Sequence, residues 1–137
     1  MKHTMKRFLR MIMVAVAVTL GMTAVMAADK GEPAIEFETT AVNMGNVSSS
    51  GGPVSATYKF TNTGTAPLVI VKVTNGGCGC TTPSYPKQPI APGKSGEIVI
   101  HFDPSGRRGE FNREVKVKTN ASGKRIGLRF KGVIIPK

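Results

Sequence analysis

Beyond its first 27 residues the chain shows no helical period. Short runs of β-branched and aromatic residues recur instead, alternating with polar ones and separated by Gly, Pro, Asn and Ser. A period of two is what a sheet with one buried face demands. Val54, Ala56, Tyr58 and Phe60 alternate with Ser55, Thr57, Lys59 and Thr61. Ile98, Ile100 and Phe102 alternate with Glu97, Val99 and His101. Phe111, Val115 and Val117 share one face and Glu114, Lys116 and Lys118 the other. In the last run Ile126, Leu128 and Phe130 face in, and Arg125, Arg129 and Lys131 face out.

Two further runs precede these, at 35–39 and 41–47. Leu68 to Val73 is apolar on both faces apart from Lys72, which predicts a central strand. Turns are expected at the Ser48–Pro53 loop, at Asn62-Thr63-Gly64-Thr65, at Pro92-Gly93, at Asp103–Gly106 and at Asn120–Gly123. The stretch from Thr74 on carries three glycines and both cysteines, and Pro83, Pro86, Pro89 and Pro92 predict an irregular path after it. The pattern predicts an all-β fold, an immunoglobulin-like antiparallel β-sandwich of about seven strands in one domain at 34–137. An open barrel is the alternative architecture.

Residues 1–27 have the layout of a secretory signal. Lys2, Lys6, Arg7 and Arg10 precede an uncharged apolar run from Met11 to Met22, and Val25-Met26-Ala27 places small residues at −3 and −1 of a cleavage site. Cleavage leaves a short linker at 28–33, no membrane span, and a periplasmic or secreted domain. It also removes four of the 19 basic residues, leaving 15 against 8 acidic ones, a net charge of +7. That charge is concentrated late: Arg107, Arg108, Arg113, Lys116, Lys118, Lys124, Arg125, Arg129, Lys131 and Lys137 stand against Glu110 and Glu114.

The only two cysteines form Cys78-Gly79-Cys80. In an oxidising compartment a small-ring disulfide capping a loop is one reading. Buried, inert thiols are another. As thiolates the pair could clamp a soft ion such as Cu(I), whereas zinc wants four ligands and the mature chain adds only His101 and carboxylates. Thiol–disulfide exchange is the fourth reading, although no helix follows Cys80 to activate a thiol and the nearest following cation is Lys87. Gly76-Gly77-Cys78-Gly79 offers a backbone nest for an anion, or only a flexible connection.

Catalytic sets are missing. The single mature histidine, His101, falls on the polar face of its strand, and no paired carboxylates or phosphate-binding glycine loop accompany it. No cofactor is expected, and the chain is read as a non-enzyme. If the last two strands form a hairpin, Glu114 lies near Arg129 or Lys131, and Lys118 near Arg125 or Gly127. A repulsive Lys118–Arg125 pairing points to an anionic partner on a surface of Lys116, Lys118, Arg125, Arg129 and Lys131. A solvated lysine-rich strand face is the plainer reading. Few aromatics are available for stacking on bases, which argues against nucleic acid.

In order, the chain carries Phe60-x-Asn62-Thr63-Gly64-x-x-Pro67-Leu68-x-Ile70, Cys78-Gly79-Cys80-Thr81, Ile90-x-Pro92-Gly93, Gly96-x-Ile98, Phe102-Asp103 and Thr119-Asn120. This series resembles a bacterial family of exported proteins, domain of unknown function 1573, related to immunoglobulin-like domains of the Hydin type. The resemblance spans nearly all of 35–134. It implies a β-sandwich and an exported location, and brings no activity, substrate or cofactor. The resulting expectation is an interaction module that binds another envelope component, a protein or an anionic polymer. Soft-metal binding or thiol–disulfide exchange through Cys78 and Cys80 is the alternative.

Overall fold

A computed structural model describes residues 31–136. The expected signal at 1–27 and the first half of the expected linker, residues 28–30, lie outside the described residues. Among the described residues eight strands are formed: β1 (Ile35–Phe37), β2 (Ala41–Ser48), β3 (Val54–Asn62), β4 (Ile70–Val73), β5 (Thr81–Ser84), β6 (Ser95–Phe102), β7 (Gly109–Thr119) and β8 (Ile126–Ile135). They make two four-stranded sheets, β1-β3-β6-β5 and β2-β8-β7-β4. No described helix is long and apolar enough to cross a membrane. The expected immunoglobulin-like sandwich is the observed fold.

The alternation dictates the packing. Ala56, Tyr58 and Phe60 of β3 and Ile98, Ile100 and Phe102 of β6 are buried, as are Val115 and Val117 of β7 and Leu128 and Phe130 of β8. The two inner faces meet around an aromatic group: Phe102 stacks on Phe111 at 4.8 Å between centroids and tilts against Phe130 at 5.7 Å. Burying one such ring contributes about 1.5–3 kcal/mol.

The structure differs from the sequence reading in three places. The run from Leu68 to Val73 is not a central strand: β4 pairs only with β7 and forms the edge of its sheet. Its register slips between Ile70 and Lys72, so Val71 turns to solvent, 51% exposed, and its apolar character reports no second buried face. The proline-rich stretch holds an extra strand, β5, paired with β6 through Thr81↔Phe102, Thr82↔His101, Pro83↔Ile100 and Ser84↔Val99. Pro83 is tolerated because an edge strand needs hydrogen bonds on one side only. The sandwich is also not wholly antiparallel, since β2 runs parallel to β8, with a register shift between Asn43 and Asn46.

Candidate functional site

Two regions carry chemistry. The first is the β4–β5 connection, which crosses from one sheet to the other. Cys78 and Cys80 are joined there in a disulfide with Cα atoms 5.2 Å apart. The backbone holds the turn closed: Cys78 N–H donates to the Asn75 carbonyl at 3.3 Å and Thr81 N–H to the Cys78 carbonyl at 3.2 Å. Gly76 and Gly77 take positive φ angles of 66° and 79°, and the Gly77 N–H donates to Asn75 Oδ1 at 2.9 Å. The loop's own carboxamide thereby takes up one of the N–H groups that this glycine-rich stretch offered an anion.

The β6–β7 loop closes over the cysteines. Asp103 N–H donates to the Cys80 carbonyl at 2.8 Å. Arg107 Nη2 donates to Cys78 Sγ at 3.4 Å, and the Cys80 N–H reaches the same sulfur at 3.2 Å. Cys80 Sγ lies 3.6 Å from Thr81 Oγ1, and its residue packs against the hydrophobic core. The cation beside the pair is thus Arg107, 29 residues away in sequence. Lys87, the nearest following cation in sequence, sits instead 3.4 Å above the Tyr85 ring. The Asp103 carboxyl is held below its ordinary value by hydrogen bonds from Ser105, with a smaller contribution from the Arg107 charge. No group of three or more His, Cys, Asp or Glu suited to a metal forms among the described residues. A disulfide also offers no thiolate, so the soft-metal reading concerns only the reduced pair.

The second region is the outer face of the β2-β8-β7-β4 sheet. Register arranges it in rows. Ala41, Arg129 and Glu114 share one row, and Asn43, Lys131 and Asn112 the next. Lys116 stands opposite Gly127. Lys118 lies one residue beyond the last β7–β8 pair, Val117↔Ile126, and its register partner is Lys72 on β4. The expected Glu114–Arg129 pairing is present, with Arg129 Nη2 2.8 Å from Glu114 Oε2. Glu114 also binds Lys116. The Lys116 hydrogen bond first, and then the Arg129 and Lys116 charges, hold its carboxyl below the ordinary value.

The hairpin therefore unites Lys116, Arg129 and Lys131, with Arg125 just before β8 and Lys118 turned toward β4. Where Asn43 and Asn112 flank Lys131, short side chains leave a shallow depression of about 530 Å³. Lys72 was not among the expected surface residues; only the β4–β7 register reveals it.

The opposite sheet differs in kind. Its outer face pairs Lys59 with Glu97, Thr57 with Val99 and Thr61 with Ser95. His101 and Ser55 are register partners there, with Nδ1 2.9 Å from Oγ on an exposed strand pair. Arg113 takes an inward position on β7 and lays its guanidinium 6.0 Å from the Phe102 ring centroid.

Solved structures share this fold at low identity. A protein of unknown function from Porphyromonas gingivalis W83 matches with a TM-score of 0.64 and 22% identity, over 82% of this chain and 50% of that one. The VesB protease of Vibrio cholerae matches with a TM-score of 0.59 and 18% identity, over 72% and 31%. The ASH/PapD-like domain of human CEP192 matches with a TM-score of 0.56 and 12% identity, over 75% and 86%. The chain therefore spans about half the length of the Porphyromonas protein and less of VesB. No curated protein matches it. Residues 35–134, from the first strand into the last, match the family described as protein of unknown function DUF1573, and the chain belongs to that family.

Proposed function

We propose that the chain is an exported, non-catalytic interaction module, periplasmic or secreted, that binds an anionic component of the cell envelope through the outer face of the β2-β8-β7-β4 sheet. The observation that carries this reading is the segregation of charge. Lys72, Lys116, Lys118, Arg129 and Lys131 lie on strands of one sheet face against two acids, Glu114 between them and Glu110 further along β7. Facing Lys59 with Glu97 leaves the other face nearly balanced. A field of one sign draws an oppositely charged partner from solution and weakens with salt. The depression beside Lys131 adds the Asn43 and Asn112 carboxamides, which suit the hydroxyls of a polymer, with the Glu110 carboxylate at its wall. The PapD-like domain of CEP192 supports the reading only through its fold.

Titration of the exported protein with an acidic polysaccharide at increasing salt tests the proposal. Saturable binding that weakens steeply with salt, and is lost when Lys116, Lys118 and Lys131 are changed together to Gln, is the expected outcome. Equal binding by wild type and the triple variant would remove this face from the function. Recovery of a protein from envelope extracts, with no binding to the polysaccharide, would replace the polymer with a protein partner.

A further inference from the structure

We infer that the Cys78–Cys80 loop is a thiol–disulfide exchange site, with Cys78 as the leaving thiolate and Arg107 as its positioning residue. The site lies apart from the cationic sheet face and does not rest on the binding reading. Two donors converge on one sulfur of the disulfide: the Arg107 guanidinium and the Cys80 N–H both reach Cys78 Sγ. Among the described residues the other sulfur has a neutral hydroxyl as its polar neighbour, and its residue packs against the apolar core. Cationic and amide donors favour a thiolate, whereas apolar burial favours a thiol. The disulfide is therefore asymmetric: breaking it leaves negative charge best accommodated on Cys78. A lower-pKa sulfur leaves faster, and stabilising the reduced form makes the disulfide a stronger oxidant.

The co-reactant is a protein dithiol with one sulfur ionised. Its thiolate attacks Cys80 Sγ, forming a mixed disulfide as the Cys78–Cys80 bond breaks. The electron pair of that bond departs on Cys78 Sγ, beside Arg107. The partner's second thiol, giving its proton to Cys80, attacks the partner sulfur of the mixed disulfide. Cys80 is released as a thiol and the partner leaves as a disulfide, two electrons having passed to this chain. Other charged groups bear on the site. Arg108 and Asp103 share the Arg107 loop, and His101 of β6 stands opposite Thr82. Arg113 of β7 reaches Phe102, the register partner of Thr81. Glu114, whose backbone carbonyl approaches Gly76, has its carboxylate engaged by Lys116 and Arg129.

The test uses the whole exported protein, reduced and then alkylated with iodoacetamide near pH 6, with each cysteine followed by peptide mass. Cys78 should react about tenfold faster than Cys80, and Arg107→Ala should abolish most of that difference. Equilibration with glutathione should show the Arg107→Ala disulfide about tenfold harder to reduce, equivalent to about 30 mV for a two-electron couple, with Arg107→Lys closer to wild type. Arg107 is exposed, so its variants fold, and an unchanged melting curve checks this. Equal alkylation of the two cysteines, or an Arg107→Ala potential identical to wild type, would overturn the assignment. So would a disulfide that glutathione reduces only after the domain unfolds.

Discussion

The Tyr58 hydroxyl, carried by β3 of one sheet, donates its hydrogen to the Arg129 carbonyl on β8 of the other. This polar tie crosses between the two inner faces, and it fixes the backbone from which Arg129 reaches Glu114 on the outer face. Tyr58→Phe keeps the ring and removes the tie, so a loss of about 1–2 kcal/mol is expected by urea unfolding. Burial pushes the Tyr58 phenol from 10.0 up to about 12. The folded state thus holds this proton more tightly than the unfolded chain. The associated stability is complete below pH 10.0 and drains away as pH rises through about 12. Unfolding curves taken across that window should show this component in wild type and not in the phenylalanine variant.

Asn62 is the second buried polar group with a defined task. Its Nδ2 donates to the carbonyls of Ala66 and Ile90 at 2.8 and 2.9 Å, and its Oδ1 accepts from Gly64 N–H at 3.0 Å. One side chain therefore holds the turn after β3 against the segment leading into β6. Asn62→Ala leaves those carbonyls without their donor and should cost about 2–4 kcal/mol. Asn62→Asp should cost more, because a carboxylate would face the two carbonyls as a third acceptor. Thermal melts of the two variants measure the order, and equal losses would contradict the role given to Nδ2.

Much of the motif series seen in the sequence has this kind of local cause. Asn62 and Gly64 are bonded to each other, and a Cβ on Gly96 would come within 2.7 Å of the Phe60 ring. The inward and outward faces of β3, β6, β7 and β8 were legible because a period of two reports burial directly. Val71 misled because an edge strand can carry an apolar residue into solvent, and a β-bulge breaks the parity that the reading relies on. Strand β5 was hidden because proline argues against a strand except at an edge, and edge position is a property of the assembled sheet. The same holds for chemistry. Glu114 opposite Arg129 follows from hairpin register, whereas Arg107 beside Cys78 and Lys72 beside Lys118 depend on contacts that no short-range pattern encodes.

Glu114 is the acidic residue set among the cationic side chains, held by Lys116 and Arg129, while Glu110 stands further along the same strand. The depressed carboxyl value of Glu114 means that it stays ionised well into acid and masks part of the face's charge. Glu114→Gln should therefore strengthen binding to an acidic polysaccharide about two- to threefold at low salt. The melting temperature should stay close to wild type, since the ion pairs are solvent-exposed. With a sulfated polysaccharide, whose charge persists in acid, the same gain should appear in wild type as pH falls through the depressed carboxyl value, and Glu114→Gln should lack that step. Calorimetric titration across acid pH measures both effects.

Lys72 and Lys118 oppose each other across the β4–β7 pair, where antiparallel register puts both side chains on one face. Like charges directly opposite destabilise a sheet, so this pairing sets stability against whatever the face binds. Lys118→Glu replaces repulsion with a cross-strand ion pair and should raise stability by roughly 0.2–1 kcal/mol. The same change removes two units of positive charge from the face and should weaken polysaccharide binding and flatten its salt dependence. Lys72→Glu on the opposite strand should act the same way, while the double exchange should bring back repulsion, now between two carboxylates, without restoring the affinity. Higher stability accompanied by unchanged binding would mean that the lysine pair merely guards an exposed edge against other strands. The predicted signature is the opposite coupling: each substitution that relieves the Lys72–Lys118 contact weakens binding as it strengthens the fold.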